Sequence, residues 1–271
     1  MQVAVIQMNS GGEYEHNVAR SLALVDQAAD QGAEFMLLPE YMTFLGSYRQ
    51  FAESSESVPG PTTERLAAKA RQHGIYLHGG SLIEKSDDPH RFYNTSLLFD
   101  PAGELIARYR KIHLFDVNIP GQVSDTESKT ILPGDDIVVV GLPEFKLGMS
   151  ICFDLRFPEF YRQMAVAGAE VLVVPAAFTR VTGRAHWEIL LRARAIENQA
   201  YVLAAAQYGK DGAGTWRYGR SMMVDPWGAI MAAAPEVGEA VLVVEVRREH
   251  SLRRRQQMPV LEMRRPDIYG K

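Results

Sequence analysis

Short apolar runs alternate with helix-like stretches from one end of the chain to the other, which is the pattern of an α/β fold. Val3 to Met8 (VAVIQM) predicts a strand. From about Asn17 to Gln31, Val18, Leu22, Val25, Ala28 and Ala29 fall at helical spacing, and Gly32 closes that helix. Phe35 to Leu38 is a second short strand that leaves through Pro39. Thr62 or Thr63 caps a helix running to about His73, which Gly74 ends. IYLHGGSLI and YNTSLLF predict further strands, and LIARYR returns as another after the turn Asp100-Pro101-Ala102-Gly103.

That turn recurs as Asp225-Pro226-Trp227-Gly228, between SMMV and AIMAAA. In both copies proline presets φ and glycine sits where a positive φ costs little. One strand–DPxG–strand unit in each half implies an internal pseudo-twofold: two similar sheets packed face to face, with helices outside. The stretch from Lys111 to Asp136 has little period of either kind, and a connection of that length is functional or disordered. Without a Pro/Ser/Gly-rich linker, residues 1–271 read as one domain. Its end comprises a helix near Arg247 to Gln257 and a polar tail.

Composition changes this picture little but excludes several functions. At 271 residues, 46% hydrophobic and 23% charged, the chain has the make-up of an ordinary globular enzyme. A formal net charge of −4 provides no field to gather nucleic acid or an anionic membrane surface. The basic run Arg253 to Arg255 reads as a solvated helix face or a subunit contact. A single cysteine allows neither an intrachain disulfide nor a multi-cysteine metal site, which suits a reducing cytoplasm. MQVAVIQMN resembles a first strand rather than a leader, and the most apolar window, Val171 to Phe178, is far short of the ~20 residues of a membrane helix. Neither an HExxH zinc motif nor a GxGxxG or Walker-type loop occurs, so no metal and no nucleotide cofactor is expected. Gly148-x-Ser150-x-Cys152 is not the elbow of serine hydrolases, and Ser150 reads as buried strand.

Candidate chemistry concentrates at three strand ends. Leu147 to Ile151 runs into Cys152, and a helix follows from about Pro158, so the thiol stands at a strand-to-helix elbow near free backbone N–H groups. Glu40 follows a strand and a proline, and Lys111 ends LIARYR. Taken singly, each has an ordinary structural reading, as core filling, loop carboxylate and solvated lysine. Together they supply the base, the cation and the nucleophile that acyl transfer needs.

LLPEY, YRKIHLFD and ICFDLRFPE resemble, in order and spacing, the three motifs of the nitrilase superfamily, and the resemblance continues through ESKT, the segment from Pro175 to Tyr201, VDPWG and RRPDIYG. The resemblance implies a four-layer α-β-β-α sandwich, a homodimer with the tail (about 247–271) at a subunit contact, and no cofactor. It makes Cys152 the nucleophile, Glu40 the general base and Lys111 the catalytic lysine. Glu127 becomes the second glutamate, supporting Lys111. Lys111 and the backbone N–H of Phe153 form the oxyanion site. The implied reaction hydrolyses a linear primary amide through a thioester. The downstream segments are similar to the branch of deaminated-glutathione amidase and ω-amidase, leaning to the first. Short α-keto acid amides and N-carbamoyl compounds are alternative substrates, and an idle scaffolding member is the non-enzymatic alternative. Two positions depart from the branch: Phe153, where tyrosine is common, and Arg220, where histidine is. For a substrate carboxylate the candidates are Arg180 and Thr182, with Phe178 beside them.

Overall fold

The structure is a computed structural model that describes residues 1–270. Its first sheet has the order Ala240–Glu245, Gln2–Gln7, Phe35–Leu37, Tyr76–His78, Phe92–Phe99, Leu82–Lys85, and Leu105–Arg110 also pairs with Phe92–Phe99. The second has the order Ile230–Ala233, Met222–Val224, Tyr201–Ala206, Val171–Ala176, Lys146–Met149, Val139–Gly141.

The two sheets repeat one connectivity. In the first, Gln2–Gln7, Phe35–Leu37 and Tyr76–His78 run parallel, Phe92–Phe99 joins antiparallel, and Leu105–Arg110 folds back on it. In the second, Lys146–Met149, Val171–Ala176 and Tyr201–Ala206 run parallel, Met222–Val224 joins antiparallel, and Ile230–Ala233 folds back. Each fold-back is a DPxG turn with the same hydrogen bonds. Oδ1 of Asp100 accepts from the N–H of Ala102 and Glu104, and Oδ1 of Asp225 accepts from the N–H of Trp227 and Ala229. The closing glycines, Gly103 at φ +79° and Gly228 at φ +84°, occupy the left-handed region the turn requires. The internal pseudo-twofold expected from the repeated turns is therefore present.

Strand alternation assigns each side chain to a layer. Val3, Val5, Phe35 and Leu37 belong to one apolar cluster with Met149, Val173 and Leu203 of the second sheet. Ala4, Ile6, Met36 and Leu38 point the other way, onto Leu24, Val25 and Ala28 of the helix Tyr14–Asp30 and Leu66 and Ala70 of the helix Pro61–His73. Trp187, Leu191 and Ala195 of the helix Arg180–Asn198 cover the second sheet together with Tyr161 and Met164 of the helix Pro158–Val166. The protein is thus an α/β sandwich with helices on both outer faces. No helix among the described residues is long and apolar enough to cross a membrane.

Three local expectations need correction. The helix Pro61–His73 is capped by Gly60, whose N–H donates to the Thr63 hydroxyl at 2.6 Å, so threonine closes the turn from inside the helix. IYLHGGSLI is two strands, not one, broken at Gly79 and Gly80. Gly80 has φ +63°, and a Cβ there would lie 2.0 Å from the carbonyl oxygen of Pro39, so only glycine lets the segment before Glu40 pass. The stretch from Lys111 to Asp136 contains a small hairpin, Asp116–Ile119 against Val123–Thr126.

His78 is fully buried between Leu37 and Leu98, and neither ring nitrogen has a hydrogen-bond partner. Burial lowers its pKa from 6.5 to about 3. The unfolded chain therefore binds a proton that the native fold refuses, and stability falls as pH drops from about 6.5 towards 3, by about 1.4 kcal/mol per unit. Between pH 7 and pH 5, urea unfolding of His78→Leu is expected to lose roughly 2 kcal/mol less stability than wild type. An identical pH slope in the two proteins would assign the acid sensitivity to other groups.

Candidate active site

Four chain segments converge at one end of the sandwich. Glu40 follows Phe35–Leu37, Lys111 ends Leu105–Arg110, Cys152 follows Lys146–Met149, and Glu127 opens the short 3-10 turn Glu127–Lys129 beyond the small hairpin. All four side chains are buried. The residues at the two critical corners take left-handed backbone: Tyr41, just after Glu40, has φ +55°, and Cys152 has φ +49°. Non-glycine residues pay about 1–3 kcal/mol for such conformations, which persist where the surroundings over-determine them.

The surroundings here are hydrogen bonds. Oε1 of Glu40 accepts from Nζ of Lys111 at 3.0 Å and Nδ2 of Asn94 at 2.9 Å, and Oε2 accepts from the N–H of Ala177 at 2.8 Å. The Cys152 thiol lines the same cavity as Glu40 and lies within reach of its charge. Nζ of Lys111 also donates to Glu127 at 3.1 and 2.9 Å, and Glu127 accepts from the Tyr41 hydroxyl at 2.9 Å and the N–H of Phe115 at 2.6 Å. One ammonium is thus buried between two carboxylates, with the Cys152 thiol in the same cavity floor.

The electrostatics follow from this packing. Burial alone would drive the Lys111 ammonium to release its proton, but Glu127 and Glu40 outweigh it and hold the pKa well above the ordinary lysine value. Burial raises the Cys152 thiol well above its ordinary value, and the charge of Glu40 adds to this, against the opposing pull of Lys111. The resting sulfur is therefore a thiol, under the influence of the Glu40 carboxylate. No thiolate–imidazolium pair is built: His113, the nearest histidine in sequence to Lys111, donates its backbone N–H to Asp154 and has Nδ1 2.8 Å from it. Its ring is stacked on Phe157 at 3.6 Å.

Asp154 and Asn94 are the residues that sequence reasoning missed. Asp154 is fully buried and accepts from the Tyr109 hydroxyl, the N–H of His113 and the N–H of Ile151. It thereby clamps both flanks of Lys111 to the residue before Cys152. Asn94 orients Glu40. Both lie inside ICFD and YNTS, so the signal was a polar residue in an apolar run, which lacks a partner until the fold supplies one.

A cavity of about 340 Å³ opens over this group, with Glu40, Lys111, Glu127 and Cys152 in its floor. Phe153, Phe178 and Thr182 also line it. Phe153 follows Cys152 at the start of the 3-10 turn Cys152–Arg156, where backbone N–H groups have no partner within the turn. Arg180 does not line the cavity: it is the first residue of a helix rather than part of a loop. Its guanidinium lies over the Trp216 ring at 5.2 Å and 3.9 Å from Glu236. Arg220 is likewise absent from the cavity wall. Its carbonyl accepts from the Trp187 indole and its guanidinium donates to the carbonyl of Ala234. The cations that do reach the cavity besides Lys111 are Arg49 and Arg217.

A sequence model of the carbon–nitrogen hydrolase family matches residues 2–255. The omega-amidase NIT2 of Homo sapiens is 39% identical over 269 residues, 99% of this chain and 96% of that protein. Among solved structures, Saccharomyces cerevisiae Nit3, described as a member of branch 10 of the nitrilase superfamily, superposes with a TM-score of 0.87 at 32% identity, covering 98% of this chain and 96% of Nit3. A glutamine-for-glutamate mutant of an amidase from Nesterenkonia sp. superposes with a TM-score of 0.84 at 27% identity, covering 99% of this chain and 95% of that one; the acetamide moiety of fluoroacetamide is bound covalently to its active-site cysteine.

Proposed function

This chain belongs to the carbon–nitrogen hydrolase family and is an amidase, and on that premise we propose that it hydrolyses the terminal amide of a short dicarboxylic acid through a Cys152 thioester. The observation that carries the reading is the buried Lys111 ammonium held between Glu40 and Glu127 in a cavity that Cys152 also lines. The substrate class is supported by the 39% identity to an omega-amidase. Deaminated glutathione remains the longer candidate of the same chemical kind, and a homodimer, the remaining proposal, is supported by the exposed apolar side chains Met263, Ile268 and Tyr269 in the tail.

The steps balance without a cofactor. Glu40 takes the thiol proton as Sγ bonds to the amide carbon, and the carbonyl oxygen becomes an oxyanion. Lys111 and the N–H of Phe153 receive that charge where it develops, which is where a preorganised donor lowers a barrier most. The C–N bond then breaks, Glu40 gives its proton to the nitrogen, and ammonia leaves a thioester. Water attacks the thioester and yields a proton to Glu40, and the returning tetrahedral species expels Sγ, which is reprotonated by Glu40 as the acid departs. A raised thiol pKa suits this cycle, because the proton moves only when a substrate carbon is in place to accept the sulfur.

Ammonia release from the ω-monoamides of short α-keto dicarboxylic acids, deaminated glutathione, simple nitriles and N-carbamoyl compounds tests the proposal. Turnover of the first two classes well above the others is expected, and turnover of nitriles or carbamoyl compounds alone would overturn it. The two glutamates are expected to separate. Glu40→Gln removes the proton carrier and lowers kcat roughly 10²–10⁴-fold. Glu127→Gln keeps an acceptor for Tyr41 but weakens the charge holding Lys111, a loss of about tenfold, or about 1.4 kcal/mol. Equal losses in the two variants would mean that Glu127 also carries a proton.

A further inference from the structure

Arg217 is built into the cavity wall differently from any other cation there. It sits in the strand Trp216–Tyr218, with its side chain 15% exposed and its partner Asp211 almost wholly enclosed. Nε donates to Oδ2 of Asp211 at 2.8 Å and Nη2 lies 2.6 Å from the same oxygen. Nη1 donates to the carbonyl of Ala177 at 2.8 Å. Asp211 is itself fixed, since its Oδ1 accepts from the N–H groups of Ala213 and Thr215, both at 2.9 Å. A guanidinium carries five N–H donors; Nε and one on Nη1 are used in hydrogen bonds, and Nη2 is ion-paired with Asp211. At least one hydrogen on Nη1 and one on Nη2 therefore remain without a protein acceptor, and two such N–H groups on neighbouring nitrogens can serve a carboxylate.

From these observations we infer that Arg217 reads a carboxylate at the far end of the substrate through its Nη1 and Nη2 edge, with Asp211 as its positioning residue, which makes the enzyme selective for amides of dicarboxylic acids. The inference rests on that proposed reading and names the residue that recognises the carboxylate the substrate carries. Three arguments support it. Asp211 and Ala177 have already frozen the side chain, so gripping a ligand costs little further rotamer entropy. The carbonyl of Ala177 anchors Arg217 while the N–H of Ala177 holds Glu40, so the carboxylate reader and the base are registered to one residue, at a fixed span from each other. Asp125 also lines the cavity beyond its floor, so a substrate carboxylate there needs a dedicated cation. Arg49, the other candidate, is exposed and forms no ion pair or side-chain hydrogen bond among the described residues, so it lacks this preparation.

The test compares glutaric acid monoamide with pentanamide, which has the same chain length without the far carboxylate. In Arg217→Met the ratio of kcat/KM for the monoamide to that for pentanamide is expected to fall roughly 10- to 100-fold, through KM of the monoamide, as for loss of a hydrogen bond to a charged group. Arg217→Lys keeps the charge and loses the fork, and is expected to recover only part of the ratio. Because Arg217→Met strands a buried carboxylate, Arg217→Met with Asp211→Asn is measured beside it to exclude a folding defect. Calorimetric binding of glutarate to Cys152→Ala protein needs no turnover and is expected to be lost when Arg217→Met is added. Wild type inactive on both amides would defeat the amidase reading, and glutarate binding would still decide Arg217. An unchanged ratio in Arg217→Met, glutarate binding that survives it, or an Arg49→Ala variant that alone collapses the ratio would each overturn the inference.

Discussion

Cys152→Ala protein releases no ammonia from any amide above the uncatalysed rate, while its unfolding free energy stays within about 1 kcal/mol of wild type. The two halves of that expectation have different causes. Turnover disappears because a methyl group cannot form the thioester and the chain has no second cysteine; Ser150, two residues away, is turned into the core, bonded to the Tyr161 hydroxyl and the carbonyl of Val173. Stability barely moves because Glu40 keeps its bonds from Lys111, Asn94 and Ala177 when the thiol is removed. Cys152→Ser is expected to be nearly as inactive, since a serine hydroxyl is harder for a carboxylate to deprotonate than a thiol. Ammonia release and urea unfolding on the same preparations check both halves. Residual turnover above a few per cent would remove Cys152 from the mechanism.

Lys111→Met is the second large effect, and it should appear in both activity and stability. Loss of a charged oxyanion donor is expected to lower kcat by roughly 10²–10³-fold with KM changed far less. Removing the ammonium also leaves Glu40 and Glu127 facing each other without compensation in a buried site, at a cost of about 3–5 kcal/mol. For a chain of this size that corresponds to a melting temperature lower by roughly 10 °C. A carboxyl in such a pair takes up a proton, so the deficit should shrink as pH is lowered. Lys111→Met combined with Glu127→Gln separates the effects: the double variant is expected to regain most of the stability and none of the turnover, since only the charge imbalance has been repaired. Restored turnover in the double variant would make Lys111 a structural counter-charge rather than an oxyanion donor.

Much of this was legible in the chain, for reasons that can be named. Apolar spacing is a local property, so the helices Tyr14–Asp30 and Arg248–Gln257 and the strands Gln2–Gln7 and Leu105–Arg110 appear within a residue or a few of where the periodicity puts them. The two DPxG turns reveal the internal repeat because turn chemistry is also local, and the repeat dictates two sheets face to face. Glu40, Lys111 and Cys152 were recognisable as a set because each stands at the end of a strand. The break at Gly79 and Gly80 was not legible, since the backbone that excludes a Cβ at Gly80 comes from Pro39, forty-one residues away.

What the sequence by itself determined is the layer order, the strand-end placement of Glu40, Lys111 and Cys152 and the family the chain belongs to, all encoded in residues near one another along the chain. What only the tertiary structure decided is which polar groups meet. Asp154 becomes the clamp between Lys111 and Cys152 because Tyr109 and His113 arrive from another sheet. Arg180 and Arg217 could not be ranked from spacing, because the direction of a long side chain depends on its partners. Trp216 and Glu236 hold the first outside the cavity, and Asp211 and the Ala177 carbonyl hold the second in its wall. A buried charge or hydrogen bond has a definite position only once the chain has closed around it, and that closure joins residues too far apart in sequence for any local pattern to record.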